Sequence, residues 1–186
     1  MSGQFRLETG RLIIRDRVES DCQAVLEYAS DMETVKYMEW GPNTEEQTRG
    51  FLESGALAMA TNPRNDFELA VTLRDGGKLI GGCRITADIR GNRQASIGYI
   101  LNRDFWGKGY ATESVQALLA FGFGTLAMHR IMATTHPLNK ASGRVLEKCG
   151  FRYEGRRRED KLVRGEWRDT LVFSMLEQDW EKRKPG

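Results

Sequence analysis

Three strand-like runs follow one another between residues 67 and 101, with breaks too short to hold a helix. They are Phe67–Leu73, Lys78–Ala87 and Gln94–Leu101, and Asp75-Gly76-Gly77 between the first two is a hairpin turn. Downstream the spacing changes. Ala111–Thr125 reads as a long helix and Ile131–Thr135 as a strand. Asn139–Cys149 reads as a helix closed by Gly150 in a left-handed cap. Arg152–Glu159 and Thr170–Leu176 read as two closing strands. A hairpin-rich first half leading into a β-α-β-α unit implies a mixed sheet with helices packed on it. Upstream, Arg11–Arg15 reads as a first strand. Ser20-Asp21 offers N-caps to a helix carrying Ala24, Val25, Tyr28 and Ala29. Thr44 with Gln47 has the form of a capping box. It opens a helix that should carry Phe51, Leu52, Leu57 and Met59 before Asn62-Pro63 stops it. No linker or repeat interrupts the chain. Residues 1–186 are therefore expected to form one domain, with the charged end 181–186 fraying.

Composition removes several functions. Lys and Arg number 28 against 26 Asp and Glu, so the net charge is 28 − 26 = +2, too small a surplus for non-specific nucleic-acid binding. No apolar run approaches the roughly 20 residues that span a bilayer, and residues 1–8 lack the apolar core of a signal peptide. A cytoplasmic protein is expected. Cys22, Cys83 and Cys149 are odd in number and widely spaced, and the only histidines are His129 and His136. Neither a disulfide framework nor a metal site is expected.

The chemistry concentrates in Trp106-Gly107-Lys108-Gly109-Tyr110-Ala111-Thr112-Glu113, between the third meander strand and the long helix. Gly107, Gly109 and Ala111 let a ligand approach the backbone. Successive N–H groups and the helix N-terminus favour a phosphate or pyrophosphate, and Lys108 adds a mobile positive charge at the rim. Taken alone, the pattern also suits a plain tight turn. It lacks the Walker Gly-Lys-Ser/Thr and the third glycine of the dinucleotide fingerprint.

Together with Ile97-Gly98-Tyr99-Ile100-Leu101 and Phe105, this stretch resembles the acetyl-CoA motif of the GCN5-related N-acetyltransferases. That pattern falls on Trp106, Gly109 and Ala111, with Trp106 in place of the usual Gln or Arg. Such a replacement is similar to the branch of ribosomal-protein N-terminal acetyltransferases of the RimJ/RimL type. Arg11-Leu12, Asn139-Lys140-Ala141-Ser142, Glu147–Phe151, Glu154-Gly155 and Gly165–Asp169 are similar to that branch too. The resemblance covers nearly the whole chain. It implies an α/β (α+β) acyl-CoA N-acyltransferase fold, a mixed, mostly antiparallel sheet splayed into a V and flanked by helices.

The resemblance also implies site residues. Acetyl-CoA would enter the V, pair its pantetheine arm with the free backbone of Ile100 and Leu101, and rest its pyrophosphate on Trp106, Gly107, Lys108, Gly109, Tyr110, Ala111 and Thr112. Asn139 would contact the pantetheine arm and Ser142 would lie near the thiol, while Asn139 also reads as a helix N-cap. Family members commonly carry a Tyr seven residues after this Asn to protonate the thiolate. That position is Leu146, which leaves Ser142 or a water. The Glu that some members use as a base is replaced by Ser96, which can hold a water. Glu39 is the alternative, with Tyr37 and Trp40 beside it at the acceptor entrance. Arg156-Arg157-Arg158 reads as a solvated strand end with the capacity to aid an acidic acceptor. The expected activity is transfer of an acetyl group to a primary amine, either a protein α-amine or a small amine. The rival class is a non-catalytic acyl-CoA-binding module. The branch implies a homodimer.

Overall fold

The computed structural model of the chain describes residues 5–88 and 91–183. All its strands belong to one sheet. They are Arg6–Glu8 (β1), Leu12–Asp16 (β2), Asp66–Leu73 (β3), Leu79–Ala87 (β4), Gln94–Leu101 (β5), Arg130–Thr135 (β6), Arg152–Val163 (β7) and Glu166–Leu176 (β8). The sheet order is β1-β2-β3-β4-β5-β6-β8-β7. Every pairing is antiparallel except β5 with β6, where a helical crossover separates the strands. The helices are Cys22–Ala29 (α1), Met32–Val35 (α2), Glu45–Met59 (α3), Tyr110–Ala120 (α4), Lys140–Cys149 (α5) and Glu177–Glu181 (α6). Among the described residues no helix is long and apolar enough to cross a membrane.

The sheet has two covered faces of unequal size. The larger core joins Leu12, Ile14, Leu69, Ile85, Ala95 and Ile97 to Val115, Leu118 and Leu119 of α4 and to Leu146 and Cys149 of α5. A smaller one packs Val25, Tyr28 and Leu52 of α1 and α3 on Ala70 and Leu79. It covers only part of its face, so the rest of the sheet stays open there.

Local signals set most boundaries. The capping box forms at α3: Thr44 Oγ1 accepts from Gln47 N–H at 3.2 Å, and Gln47 Oε1 accepts from Thr44 N–H at 2.8 Å. Phe51, Leu52, Leu57 and Met59 all lie on α3, with Leu52 buried and Leu57 74% exposed. Asp21 sits at the N-cap of α1, but its carboxylate is taken by Arg15 at 2.8 Å and by Val18 N–H at 2.9 Å. The long helix ends early, at Ala120, and Phe121–Thr125 continues as a wide π turn. The closing strands run longer than the pattern suggested and meet in a turn at Arg164-Gly165, forming a hairpin that reaches beyond the sheet. Of the end expected to fray, Glu181 closes α6 and residues 182–183 follow it, with Arg183 donating to the Lys148 carbonyl at 3.2 Å. Residues 184–186 lie outside the described residues.

Candidate active site

The parallel pairing of β5 with β6 stops at Ile97 and Ala133. Beyond it β5 runs on to Leu101 while β6 runs to Thr135 paired only with β8, so the two strands part into a V. Strand geometry decides which groups face the gap. Asp88 N–H donates to the Gln94 carbonyl at 2.7 Å and Asn102 N–H to the Ile80 carbonyl at 2.8 Å. The β4–β5 register is unbroken between them. Even-numbered residues of β5 therefore spend their amides and carbonyls on β4, and Tyr99 and Leu101 turn theirs to the V. The expectation of a free backbone at Ile100 is corrected: Ile100 lies opposite Gly82 in the ladder, and Tyr99 takes its place. The Leu101 carbonyl accepts from the Trp106 indole N–H at 2.7 Å, which turns the chain off the strand end.

The next turn is a backbone cradle. Gly107 and Gly109 adopt φ of +73° and +83°, conformations costly for any residue with a Cβ. Gly109 is the N-cap of α4 and brings no side-chain acceptor, so the first N–H groups of the helix are left for a ligand. Arg11 fixes the cradle from outside. Its Nη1 donates to the Lys108 carbonyl at 3.0 Å, and its guanidinium stacks on the Tyr110 ring at 4.5 Å. In a trans peptide this turns the Gly109 N–H the opposite way. Glu113 holds Arg11 at 2.7 Å and accepts from Thr9 Oγ1 at 2.6 Å. Burial alone would raise the Glu113 pKa, but these hydrogen bonds bring it below the usual carboxylate range. Lys108, expected to be mobile, is bent back onto the Asp104 carbonyl at 2.8 Å and the Phe105 ring. Ala111 and Thr112 follow on the first turn of α4, and Thr112 borders a neighbouring depression of about 590 Å³ that Arg11 and Lys148 also line. An open strand edge, uncapped N–H groups and glycines without Cβ together fit an extended ligand with an anionic centre.

At the inner end of the V stands α5. Asn139 Oδ1 caps it, accepting from Ser142 N–H at 3.1 Å, which leaves the Asn139 Nδ2 donors free. Leu146 is fully buried in the core. A phenol nevertheless reaches this helix. The Tyr99 hydroxyl lies 2.9 Å from Ser142 Oγ and 3.2 Å from the Ser142 carbonyl, and burial pushes the phenol up from its ordinary pKa. Sequence reasoning missed Tyr99 as a site residue, since its partner lies 43 positions away. His136 is the other missed group. Its Nδ1 accepts from Leu138 N–H at 3.1 Å, and its ring stacks on Tyr37 at 5.1 Å.

These groups line one cavity of about 820 Å³, together with Ser96, Gly98, Ile100, Tyr37, Glu39 and Trp40. The structure thus brings the residues expected at the acceptor entrance to the same space as Asn139 and Ser142. Ser96 lies exposed on the open sheet face, between Thr86 and Met132. Glu39 is ion-paired to Lys161 at 3.4 Å. The segment carrying Tyr37, Glu39 and Trp40 is held by the β7–β8 hairpin. Arg164 donates to the carbonyls of Trp40 at 2.8 Å and Gly41 at 2.7 Å, and Arg168 to that of Lys36 at 3.2 Å.

The comparisons with known proteins agree with this geometry. A family model described as an acetyltransferase (GNAT) domain matches residues 11–152. The uncharacterized N-acetyltransferase YnaD of Bacillus subtilis is 36% identical over 176 residues, 95% of this chain and 99% of the relative. The ribosomal protein uS5-alanine N-acetyltransferase of Escherichia coli is 29% identical over 183 residues, 95% of this chain and 93% of the relative. A solved GNAT-family acetyltransferase from Bacillus anthracis superposes with a TM-score of 0.83 at 34% identity, covering 94% of this chain and 99% of that one.

Proposed function

The chain belongs to the GNAT family of N-acetyltransferases and resembles its RimJ/RimL-type branch, and on that premise we propose that it acetylates the α-amine at the start of a protein chain, of the ribosomal-protein kind, in the cytoplasm and as a homodimer. The donor is acetyl-CoA, which when bound supplies a thioester-activated acetyl group. The observation that carries the reading is the opening between β5 and β6, with a backbone cradle at its outer end and the Tyr99–Ser142 hydroxyl pair at its inner end.

The residues divide the work. The backbone of Tyr99 and Leu101 lines up the pantetheine arm as an added strand. The turn from Trp106 to Thr112 takes the pyrophosphate, and Asn139 Nδ2 donates to the arm. A C–N bond forms as the C–S bond breaks, the amine loses a proton and the sulfur gains one. Ser142 Oγ donates its hydrogen bond where charge collects on sulfur, and Tyr99 keeps that hydroxyl in place.

Neither side chain expected to act as the base is a strong one. Ser96 can at most hold a water, and Glu39 is tied to Lys161. The amine therefore arrives already neutral. An α-amine, with a pKa near 7.7–8.0, is about a quarter neutral at pH 7.4, whereas an ε-amine near 10.4 is only about one part in a thousand neutral. That difference favours a chain terminus over a lysine or a polyamine. The test is an acceptor screen with acetyl-CoA, read by mass spectrometry, using terminal peptides, amino acids, polyamines and aminoglycosides. Peptide α-amines should gain one acetyl group. Turnover confined to small amines would move the acceptor class, and binding of CoA without transfer to any amine would mark an acyl-CoA-binding module.

A further inference from the structure

Resting on the N-terminal acetyltransferase reading, we infer that Arg157 and Arg168, on the inner face of the β7–β8 hairpin, form a carboxylate-recognition subsite, so that the preferred acceptor is an α-amine followed closely by an acidic side chain.

The cavity is lined by five cations, Arg17, Arg84, Arg157, Lys161 and Arg168, and three carboxylates, Glu39, Glu68 and Asp169. Each carboxylate is already held. Glu68 pairs with Arg17 at 3.0 Å, and Glu39 with Lys161 at 3.4 Å. Asp169 pairs with Arg156 and accepts from Glu159 N–H at 2.8 Å. Arg84 is taken by Asp66. Arg157 and Arg168 are held differently. Arg157 approaches Asp160 only to 3.9 Å, and Asp160 already accepts from Thr170 Oγ1 at 2.6 Å. Arg168 approaches Glu166 only to 4.0 Å.

The hairpin register puts the pair on one side. Arg157 lies opposite Thr170 and Lys161 opposite Arg168, and residues 168 and 170 share a face of β8. The arginine run of the sequence is thereby split: Arg156 turns to Asp169, and Arg157 into the cavity. Arg168 is braced by the Lys36 carbonyl at 3.2 Å, and its side chain is only 18% exposed. It lines the same cavity as His136, Asn139 and Ser142. Burial first, and then the Arg168 charge, hold the His136 imidazole below its usual pKa, and His136 is three residues from Asn139. A guanidinium fork in this position matches a carboxylate bidentately. The same positive field repels polycations and disfavours the protonated form of any amine placed beside it.

The experiment uses the full chain, acetyl-CoA and three peptides that share one N-terminal residue and carry Asp, Ser or Lys at the second position, with spermidine as a fourth acceptor. The expected kcat/KM is higher for the Asp than for the Lys peptide by about 10- to 100-fold, the worth of one charged hydrogen-bonded contact. The double variant Arg157→Gln, Arg168→Gln should level that ratio while the KM for acetyl-CoA and the thermal midpoint hold. Arg157→Gln alone, at an exposed position, should lower the ratio partway and serves if the double variant does not fold. Equal rates on all three peptides, or an unchanged ratio in a folded variant, would overturn the subsite and leave N-terminal transfer standing. Transfer to spermidine alone, or to no acceptor, would overturn both.

Discussion

From Tyr99 to Thr112 the surface turned toward a ligand consists of amides and carbonyls, positioned by two glycines, one indole and one arginine clasp. Across the cavity, between residues 36–41 and the β7–β8 hairpin, it consists of guanidinium, imidazole and aromatic side chains. The first region can recognise only what is common to every donor molecule, a chain of hydrogen-bonding groups and an anion. The second can be rewritten one side chain at a time. On the function proposed above, this difference separates the two substrates, with the donor held by backbone and the acceptor chosen by side chains.

Substitutions should sort by the same division. The largest effect is expected at Gly109→Val. A Cβ at φ +83° is strained, and it would also meet the Arg11 guanidinium at 3.3 Å. CoA affinity measured by calorimetry should fall at least about 100-fold, equivalent to two charged hydrogen bonds, while circular dichroism shows the fold retained. Undiminished affinity in a folded variant would break the backbone side of the comparison. Next is Ser142→Ala, expected to lower kcat about 100-fold, the lower end for acid–base assistance because a water can stand in, with little change in the KM for acetyl-CoA. Tyr99→Phe should follow in the same direction with a smaller fall. If neither variant slows a rate-limiting chemical step, the proton comes from solvent.

On the side-chain half, Arg164→Ala releases the carbonyls of Trp40 and Gly41 and loosens the wall that Tyr37 and Trp40 form. The acceptor KM should rise roughly tenfold with the acetyl-CoA KM unmoved, which steady-state kinetics with each substrate varied in turn would resolve. A parallel rise in both would mean that the two halves are mechanically one. The smallest effect belongs to Asn139→Ala. Losing the cap of α5 should cost about 0.5–2 kcal/mol of stability in denaturant unfolding, with a modest weakening of CoA binding. Stability lost with affinity untouched would reduce Asn139 to a cap alone.

What could be read from the sequence follows from the range of the interactions. The capping box at Thr44, the αL cap at Gly150 and the turn around Gly109 are settled within a few residues, and they stand where the pattern put them. Whether Ile100 or Tyr99 faces the V depends on which residue of β4 lies opposite, and a shift of one position in that register exchanges them. The phenol that meets α5 at Ser142 comes from β5, and no spacing along α5 points to it. Arg164 finds its carbonyls 123 and 124 positions away, through a hairpin longer than its apolar pattern marks. Asp21 is instructive for the opposite reason: it is a good cap by type, but the guanidinium of Arg15 binds it more strongly than a helix amide would.

The most direct test of a backbone-built cofactor half is residue-resolved amide hydrogen exchange by NMR, with and without CoA. Protection should appear at Tyr99, Leu101 and Gly109–Thr112 on adding CoA. Ile100, already bonded to β4, should not change, and neither should residues 36–41. Protection confined to 36–41 and the β7–β8 hairpin, or no change at Tyr99 and Gly109 under saturating CoA, would contradict it.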